Sequence, residues 1–356
     1  MIAIFAPYDR SEITLAAVRL AEVAQALGIE PIYCVEGIPE QGIHPVWDHK
    51  ILATKAKSAL WGKCAKASCC VWFQPHHLAK DIIGLVKEDM RHVFVPSWHR
   101  TKGTDLDWLF ETSMVCCPNQ AYYDLLLACR FGERKIDDKI LTWARWDSGV
   151  TFLPRDGRLG ERLKLLLLAD HHAVDLCPSV VLSTVDGLLS DVEDCEVTVL
   201  SLKSWCKNDR KEWGKLSLEH PERLSLSFVR SHIEQRELYR AHDWFLSISP
   251  RADFALHAAS AQAAGLPVIA WAVAPFNEYI VSGLNGLLVP CEIATDRNLA
   301  PTAIPAVSAF LRSCTTAFGS SMLFHELQQG IHAADDHGRE FENFWATAWE
   351  APIPHE

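Results

Sequence analysis

The chain reads as an α/β protein built from two doubly wound, parallel-sheet domains, and three observations predict this. Apolar runs of strand length alternate with helix-period segments from the first residues onward, the pattern of βαβ units rather than of hairpins. The alternation breaks at residues 144–162, where Gly, Pro and charged residues crowd together, and then resumes. The length of 356 residues suffices for two domains of ordinary size, each with its own core.

In chain order, residues 2–6 form a strand, 12–27 an amphipathic helix ended by Gly28, and 31–35 a second strand. Residues 50–66 read as a lysine-bearing helix, 69–73 as a strand, 78–90 as a helix and 92–95 as a strand. Strands at 113–117 and 139–143 complete a first domain over 1–150. After the linker, a second domain over 163–335 takes a strand at 165–168, a helix at 174–189, and strands at 197–202 and 224–229. His242 and Asp243 stop a helix ahead of a strand at 244–249. Residues 254–264 are Ala-rich and helical, Gly265 sits just past their end, and Pro267 follows where a helix cannot continue. A buried strand at 268–273 is followed by the turn signal Asn285-Gly286 and a strand at 287–289. Residues 336–356 form a C-terminal segment whose aromatic spacing over 341–349 suits a helix packing back towards the N-terminal domain.

Composition narrows the function classes. With 49% hydrophobic and 22% charged residues and no low-complexity tract, the chain is of the soluble globular kind. Its longest apolar runs have strand length, so no transmembrane segment is expected. The N-terminus MIAIFAPYDR lacks the parts of a signal peptide, and a cytoplasmic location is expected. The 12 cysteines include no C-x-x-C pair and no spaced His partner, so reduced thiols and no metal site are expected. The net charge of −11 divides into −1 over residues 1–150 and −10 over the rest, which directs an anionic partner to the N-terminal half.

One ordered set of residues goes further: Leu238-Tyr239, Asp243, Phe245, Phe254, Ala263, Gly265, Pro267-Val268-Ile269, Glu278, Val281, Gly283 and Asn285-Gly286-Leu287. In this order and spacing, without a gap, residues 238–290 resemble the donor-nucleotide half of GT-B-fold glycosyltransferases, especially the retaining family-four group. The resemblance implies a GT-B architecture, two Rossmann-like doubly wound domains facing across a cleft. It implies a glycosyltransferase that moves a hexosyl or pentosyl group from a nucleotide sugar, a UDP- or GDP-sugar, to an acceptor hydroxyl, with no further cofactor. The family's two motif glutamates correspond here to Ala252 and Ser260, so its usual catalytic account does not carry across.

In doubly wound sheets ligands sit beyond the carboxyl ends of the strands, at helix N-termini that favour phosphate. His171 and His172 follow the strand at 165–168, where the resembling family supplies an Arg and a Lys to the diphosphate. They are donor-binding candidates there, or plain polar loop residues. Arg251 and Phe254 are donor candidates and Asp253 a candidate catalytic carboxylate; a guanidinium fork suits phosphate or a carboxylated sugar, and a solvated ion pair is the alternative. Ser260 stands where a ribose would be held, or simply permits close packing. Asn277 and Glu278 open a helix, as caps or beside backbone amides that face the sugar or phosphate.

For the acceptor side, Asp9 in the loop after the first strand is the first candidate base and His99 the second, each otherwise a turn former. Lys50, Lys55, Lys57, Trp61 and Lys63, extended by Arg100 and Lys102, suit a phosphate-bearing surface or are a solvated face. This favours a hydroxylated base in DNA as acceptor over a glycan, lipid-linked or small-molecule acceptor, with peripheral membrane contact left open. Two further classes stand beside the transferase: a non-catalytic sugar-nucleotide binder and a sugar epimerase on the same fold.

Overall fold

The computed structural model describes residues 1–9, 11–36, 39, 42–44, 46–47, 50–54, 62, 64–73, 90–97, 112–129, 136, 140–146, 162–169, 178–201, 207–228, 232–295, 301–333 and 337–350. The chain forms two compact units, Met1–Ser148 with Asp336–Glu356, and Gly149–Asp296 with Pro301–Asp335.

The first unit is built on seven parallel strands: β1 (Ile2–Phe5), β2 (Pro31–Glu36), β3 (Ile51–Thr54), β4 (Cys69–Phe73), β5 (Arg91–Val95), β6 (Met114–Cys117) and β7 (Leu141–Trp143), in the order β3-β2-β1-β4-β5-β6-β7. Ile2 stands opposite Pro31 on one side and Cys69 on the other. β1 and β4 are buried along their whole length, which is why both read as continuous apolar runs rather than as alternations. Helix α1 (Glu12–Ala26) covers the sheet with Ala16, Ala17, Leu20, Ala21 and Val23 and stops where Gly28 takes φ 75°. Helix α2 (Gln120–Ala128), which the periodicity did not reveal, begins at Asn119, whose side chain accepts from the Tyr122 amide at 2.8 Å.

One expectation is overturned. Residues 51–54, expected as the start of a lysine-bearing helix, are strand β3, paired in parallel with β2 from Tyr33↔Ile51 to Glu36↔Thr54. Pairing at the sheet edge outweighs the helix propensity of Lys and Ala. The helix expected at 78–90 falls almost wholly outside the described residues.

Cysteines on these strands behave as small hydrophobes. Cys69, Cys70, Cys116 and Cys117 are buried free thiols, and burial pushes Cys69 up to about 12. Trp72 stacks on Phe5 at 3.9 Å, and its indole N–H donates to His92 Nδ1 at 3.2 Å. Burial lowers His92 to about 4, so the ring is neutral in the folded protein. An unfolded chain protonates this histidine near 6.5, so its contribution to stability is complete above that pH and is lost as pH falls towards 4. Between pH 7 and pH 5 it should cost about 2 kcal/mol of unfolding free energy, at roughly 1.4 kcal/mol per pKa unit. Urea titrations across that range check this, and His92→Gln, which keeps an acceptor for Trp72, should remove this part of the slope.

Helix α10 (His337–Glu350) belongs to the same unit. Phe341 and Trp345 pack on Trp146 at 5.0 and 5.9 Å, and the Arg91 guanidinium donates to the carbonyls of Ala348 (2.7 Å) and Trp349 (3.3 Å). A cation on the last carbonyls satisfies groups the helix cannot bond itself and complements its dipole.

The second unit repeats the plan with six parallel strands: β8 (Leu163–Leu168), β9 (Cys195–Ser201), β10 (Leu224–Phe228), β11 (Trp244–Ser247), β12 (Val268–Trp271) and β13 (Gly286–Val289), in the order β10-β9-β8-β11-β12-β13. Helices α3 (Pro178–Asp191), α4 (Lys207–Glu219), α5 (His232–Ala241), α6 (Leu256–Ala263) and the short α7 (Phe276–Tyr279) connect them. A two-stranded antiparallel hairpin, β14 (Glu292–Thr295) and β15 (Pro301–Ile304), then leads to α8 (Val307–Phe318) and α9 (Ser321–Ala333). The stop after α5 has a clear cause. Asp243 exchanges two hydrogen bonds with Lys164, while His242 bonds the Leu238 carbonyl at 2.6 Å and Thr198 Oγ1 at 2.8 Å, so the chain turns from helix into sheet at that point. Among the described residues no helix is long and apolar enough to cross a membrane.

Candidate functional site

In both sheets the strand order reverses beside the first strand, between β1 and β4 in one unit and between β8 and β11 in the other. In doubly wound sheets such a reversal is where connections leave on opposite faces and a crevice opens beyond the carboxyl ends of the strands. Among the described residues, two segments of the second unit leave this end of its sheet: the loops after β11 and β12.

The loop after β11 is held at three points. The Trp271 indole donates to the Ile248 carbonyl at 3.1 Å, the Ala303 amide of β15 donates to the Pro250 carbonyl at 2.8 Å, and Ser249 Oγ donates to the Arg251 carbonyl at 2.5 Å. So fixed, the loop buries Arg251 (4% exposed), Asp253 (2%) and Phe254 (0%) together. A solvated loop was the alternative for Arg251 and Asp253, and burial excludes it. Both side chains already have partners within the protein, which hold a guanidinium and a carboxylate in a dry setting at the carboxyl end of β11.

Ala255 follows in the left-handed conformation, φ 51° and ψ 30°, and α6 starts directly after it with no side-chain cap on its amides. An uncapped helix N-terminus at the head of a parallel strand suits a phosphate group. The αL conformation costs an L-residue about 1 kcal/mol. Ala255→Gly should therefore raise the unfolding free energy by up to about 1 kcal/mol, less the chain entropy glycine adds, and Ala255→Val should lower it. Chemical denaturation of the three proteins checks the order.

Sequence reasoning missed a polar cluster behind this loop. Gln235 of α5 donates through Nε2 to Tyr239 Oη at 2.7 Å and lies 2.7 Å from His257 Nδ1, all three side chains being buried. With Nδ1 accepting, the His257 proton sits on Nε2. The cluster locks α5 to the first turn of α6. Its only signal was Tyr239, within the fingerprint. Ser260, one turn further along, is 6% exposed on the buried face of α6.

The turn after β12 departs from what was expected of it. Helix α7 begins at Phe276 after Pro275, so neither Asn277 nor Glu278 caps it. The amides of Val273, Asn277 and Glu278 donate within the turn, to Trp271, Val273 and Pro275, and Pro275 has no amide hydrogen. These four positions offer a sugar or phosphate no backbone donor. Asn277 is exposed and Glu278 half-buried, both at the carboxyl end of β12. The following turn is braced by Asn285, which accepts from the Val281 amide at 2.8 Å and donates to the Tyr279 carbonyl at 3.0 Å.

In the first unit the loop after β1 is likewise pinned. Asp9 Oδ1 accepts from the Ser11 amide at 2.9 Å and lies 3.0 Å from Thr14 Oγ1, which accepts from the Asp9 amide at 3.0 Å. Asp9 thus holds the entry to α1 with one oxygen, a structural task beside the role of base expected of it. Lys50 does not join this end of the sheet. It precedes β3, at the amino end of the parallel strands, where its ammonium sits 5.1 Å over the Trp47 ring. His99, His171, His172, Lys55, Lys57, Trp61, Lys63, Arg100 and Lys102 lie outside the described residues.

Residues 206–300 match the family described as Glycosyl transferases group 1. No curated relative matches by sequence. Among solved structures the chain is similar to the pneumococcal O-GlcNAc transferase GtfA in complex with UDP and GlcNAc, with a TM-score of 0.70 at 9% identity over 98% of both chains. It is similar also to Anabaena Alr3699/HepE in complex with UDP, with a TM-score of 0.67 at 11% identity over 98% of both chains. Against TarM the TM-score is 0.62 at 9% identity; 80% of this chain aligns, and it spans 55% of that one. The fold is that of GT-B glycosyltransferases, two Rossmann-like parallel-sheet domains.

Proposed function

We propose that this chain, a GT-B protein with a group 1 glycosyltransferase segment over residues 206–300, transfers a sugar from a nucleotide-sugar donor to a saccharide hydroxyl. The observation that carries the proposal is where that segment falls. It contains β10 to β13 and the loop after β11, the part of the second sheet that packs a buried Arg251 and Asp253 ahead of an uncapped helix. UDP is the preferred nucleotide, because two of the similar structures carry it.

In the reaction the bond between the sugar C1 and the diphosphate oxygen breaks and a bond from C1 to the acceptor oxygen forms. The acceptor proton passes to the departing diphosphate, which supplies its own base when attack comes from the same face. Negative charge grows on the diphosphate as it leaves. The Arg251 guanidinium and the first amides of α6 are the groups suited to meet it. Ala252 and Ser260 offer no carboxylate to the sugar or the ribose, so Asp253 is the carboxylate of that loop suited to accept hydrogen bonds from sugar hydroxyls.

Nothing among the described residues supports a DNA acceptor. The lysine run is not one helix, and Lys50 stands at the opposite end of the first sheet from the loop that holds Asp9. Incubation with a panel of UDP- and GDP-sugars, with and without neutral oligosaccharides, tests the proposal through release of nucleoside diphosphate. Release that depends on both substrates is expected. Nucleotide binding with no release from any donor would assign the chain instead to the non-catalytic binders, and release without acceptor to the epimerases.

A further inference from the structure

Beyond the donor loop, the first unit carries a second concave site at its far sheet edge. A cavity of about 360 Å³ opens between the carboxyl end of β7 and helix α10, lined by Trp143, Arg145, Glu340, Phe341 and Phe344 among others. The volume lies within the roughly 300–1,000 Å³ of small-ligand sites. Its two aromatic walls are braced from behind. Trp143 is half-buried against the core of the sheet, and Phe344 is half-buried with its ring edge-on to Trp345 at 5.4 Å and 89°. Phe341 closes the floor, 0% exposed and tilted on Trp146 at 5.0 Å. Each wall ring is therefore fixed while remaining partly open to solvent.

The chemistry of the lining selects a ligand class. One guanidinium and one carboxylate leave the cavity without net formal charge, so an anion gains from Arg145 what it loses to Glu340, and a cation the reverse. Aromatic walls beside one side chain of each sign suit a ring that presents C–H faces and hydroxyl edges. We propose that this cavity binds a neutral sugar ring of an oligosaccharide, as an accessory subsite of the acceptor domain. The placement supports an acceptor function, and this part of the inference rests on the proposed transferase activity. β7 ends on the same side of the sheet as β1, four strand positions away, or about 19 Å at the usual strand spacing. An oligosaccharide whose reacting end lies at the loop after β1 would thus reach the cavity with a distal ring, and the protein would prefer long acceptors to short ones.

The test uses the full-length protein and an array of neutral oligosaccharides with glucose, galactose, mannose and N-acetylglucosamine termini, read by direct binding with no donor present. At least one class should bind. Phe344→Ala and Glu340→Gln should each weaken that binding by tenfold or more; Glu340 is exposed, so that variant answers even if Phe344→Ala fails to fold. Failure of every sugar to bind, or binding that survives both cavity substitutions, would overturn the subsite. Acceptor-dependent turnover in a protein whose cavity variants bind and react like the wild type sinks the subsite and spares the transferase. Glycan binding lost on Phe344→Ala in a protein that turns over no donor sinks the transferase and spares the subsite.

Discussion

Arg251→Ala should lower kcat/KM for the nucleotide sugar by about 10²–10³, the loss seen when one preorganised donor to developing negative charge is removed. The residue is 4% exposed in a loop fixed by the Trp271 indole and the Ala303 amide, so its guanidinium is placed before substrate arrives and needs no reorganisation during the reaction. Arg251→Lys keeps the charge and loses the fork, and should recover part of the rate. Removing a side chain that is 4% exposed leaves a cavity and strands its partners, so the alanine variant should also melt earlier. A matched measurement of melting temperature and of donor KM against kcat separates the two effects. Unchanged kinetics in a folded Arg251→Ala protein would remove the loop after β11 from the donor site.

The largest expected stability effect lies elsewhere in the same unit. In Gly330→Ala, on α9, the new methyl carbon would stand 1.8 Å from the Leu284 carbonyl oxygen and 2.6 Å from its carbon. Both atoms are backbone, in a turn that Asn285 ties to Val281 and Tyr279, so neither can yield without breaking those bonds. A loss of about 3 kcal/mol or more is expected, at the upper end for overpacking, and calorimetry of the variant would show it. Gly214, on α4, meets nothing within 4 Å, and Gly214→Ala should be neutral or slightly stabilising.

Much of this fold was legible because its strands are buried on both faces. A continuous apolar run such as 165–168 or 268–271 announces a parallel strand by length and by flanking Gly and Pro, and both are strands in the structure. The errors have local causes. Residues 51–54 carry a helix former's composition yet complete the edge of a sheet whose neighbour lies far off in sequence. Helix α4 is polar along most of its length, so no apolar run marked it, and the β14–β15 hairpin has an exposed strand with no inward face to read.

The candidate site was half legible. The fingerprint placed Arg251 and Asp253 at the head of β11, but not the bracing that buries them. The Ala303 amide comes from a hairpin about fifty residues on, and the Gln235–His257 contact joins two helices by side chains of no periodic pattern. The turn after β12 shows the converse failure. Its helix start was visible, but the pattern could not reveal that the amides of Val273, Asn277 and Glu278 donate inward.

Hydrogen exchange of the full chain with and without a UDP-sugar tests the central claim most directly. Protection concentrated in residues 248–258, the loop after β11 and the first turn of α6, is the predicted result, since a bound diphosphate would hold the first amides of a helix whose N-cap residue, Ala255, offers no side-chain bond. Binding that leaves those amides exchanging as before would contradict the account and place the nucleotide elsewhere.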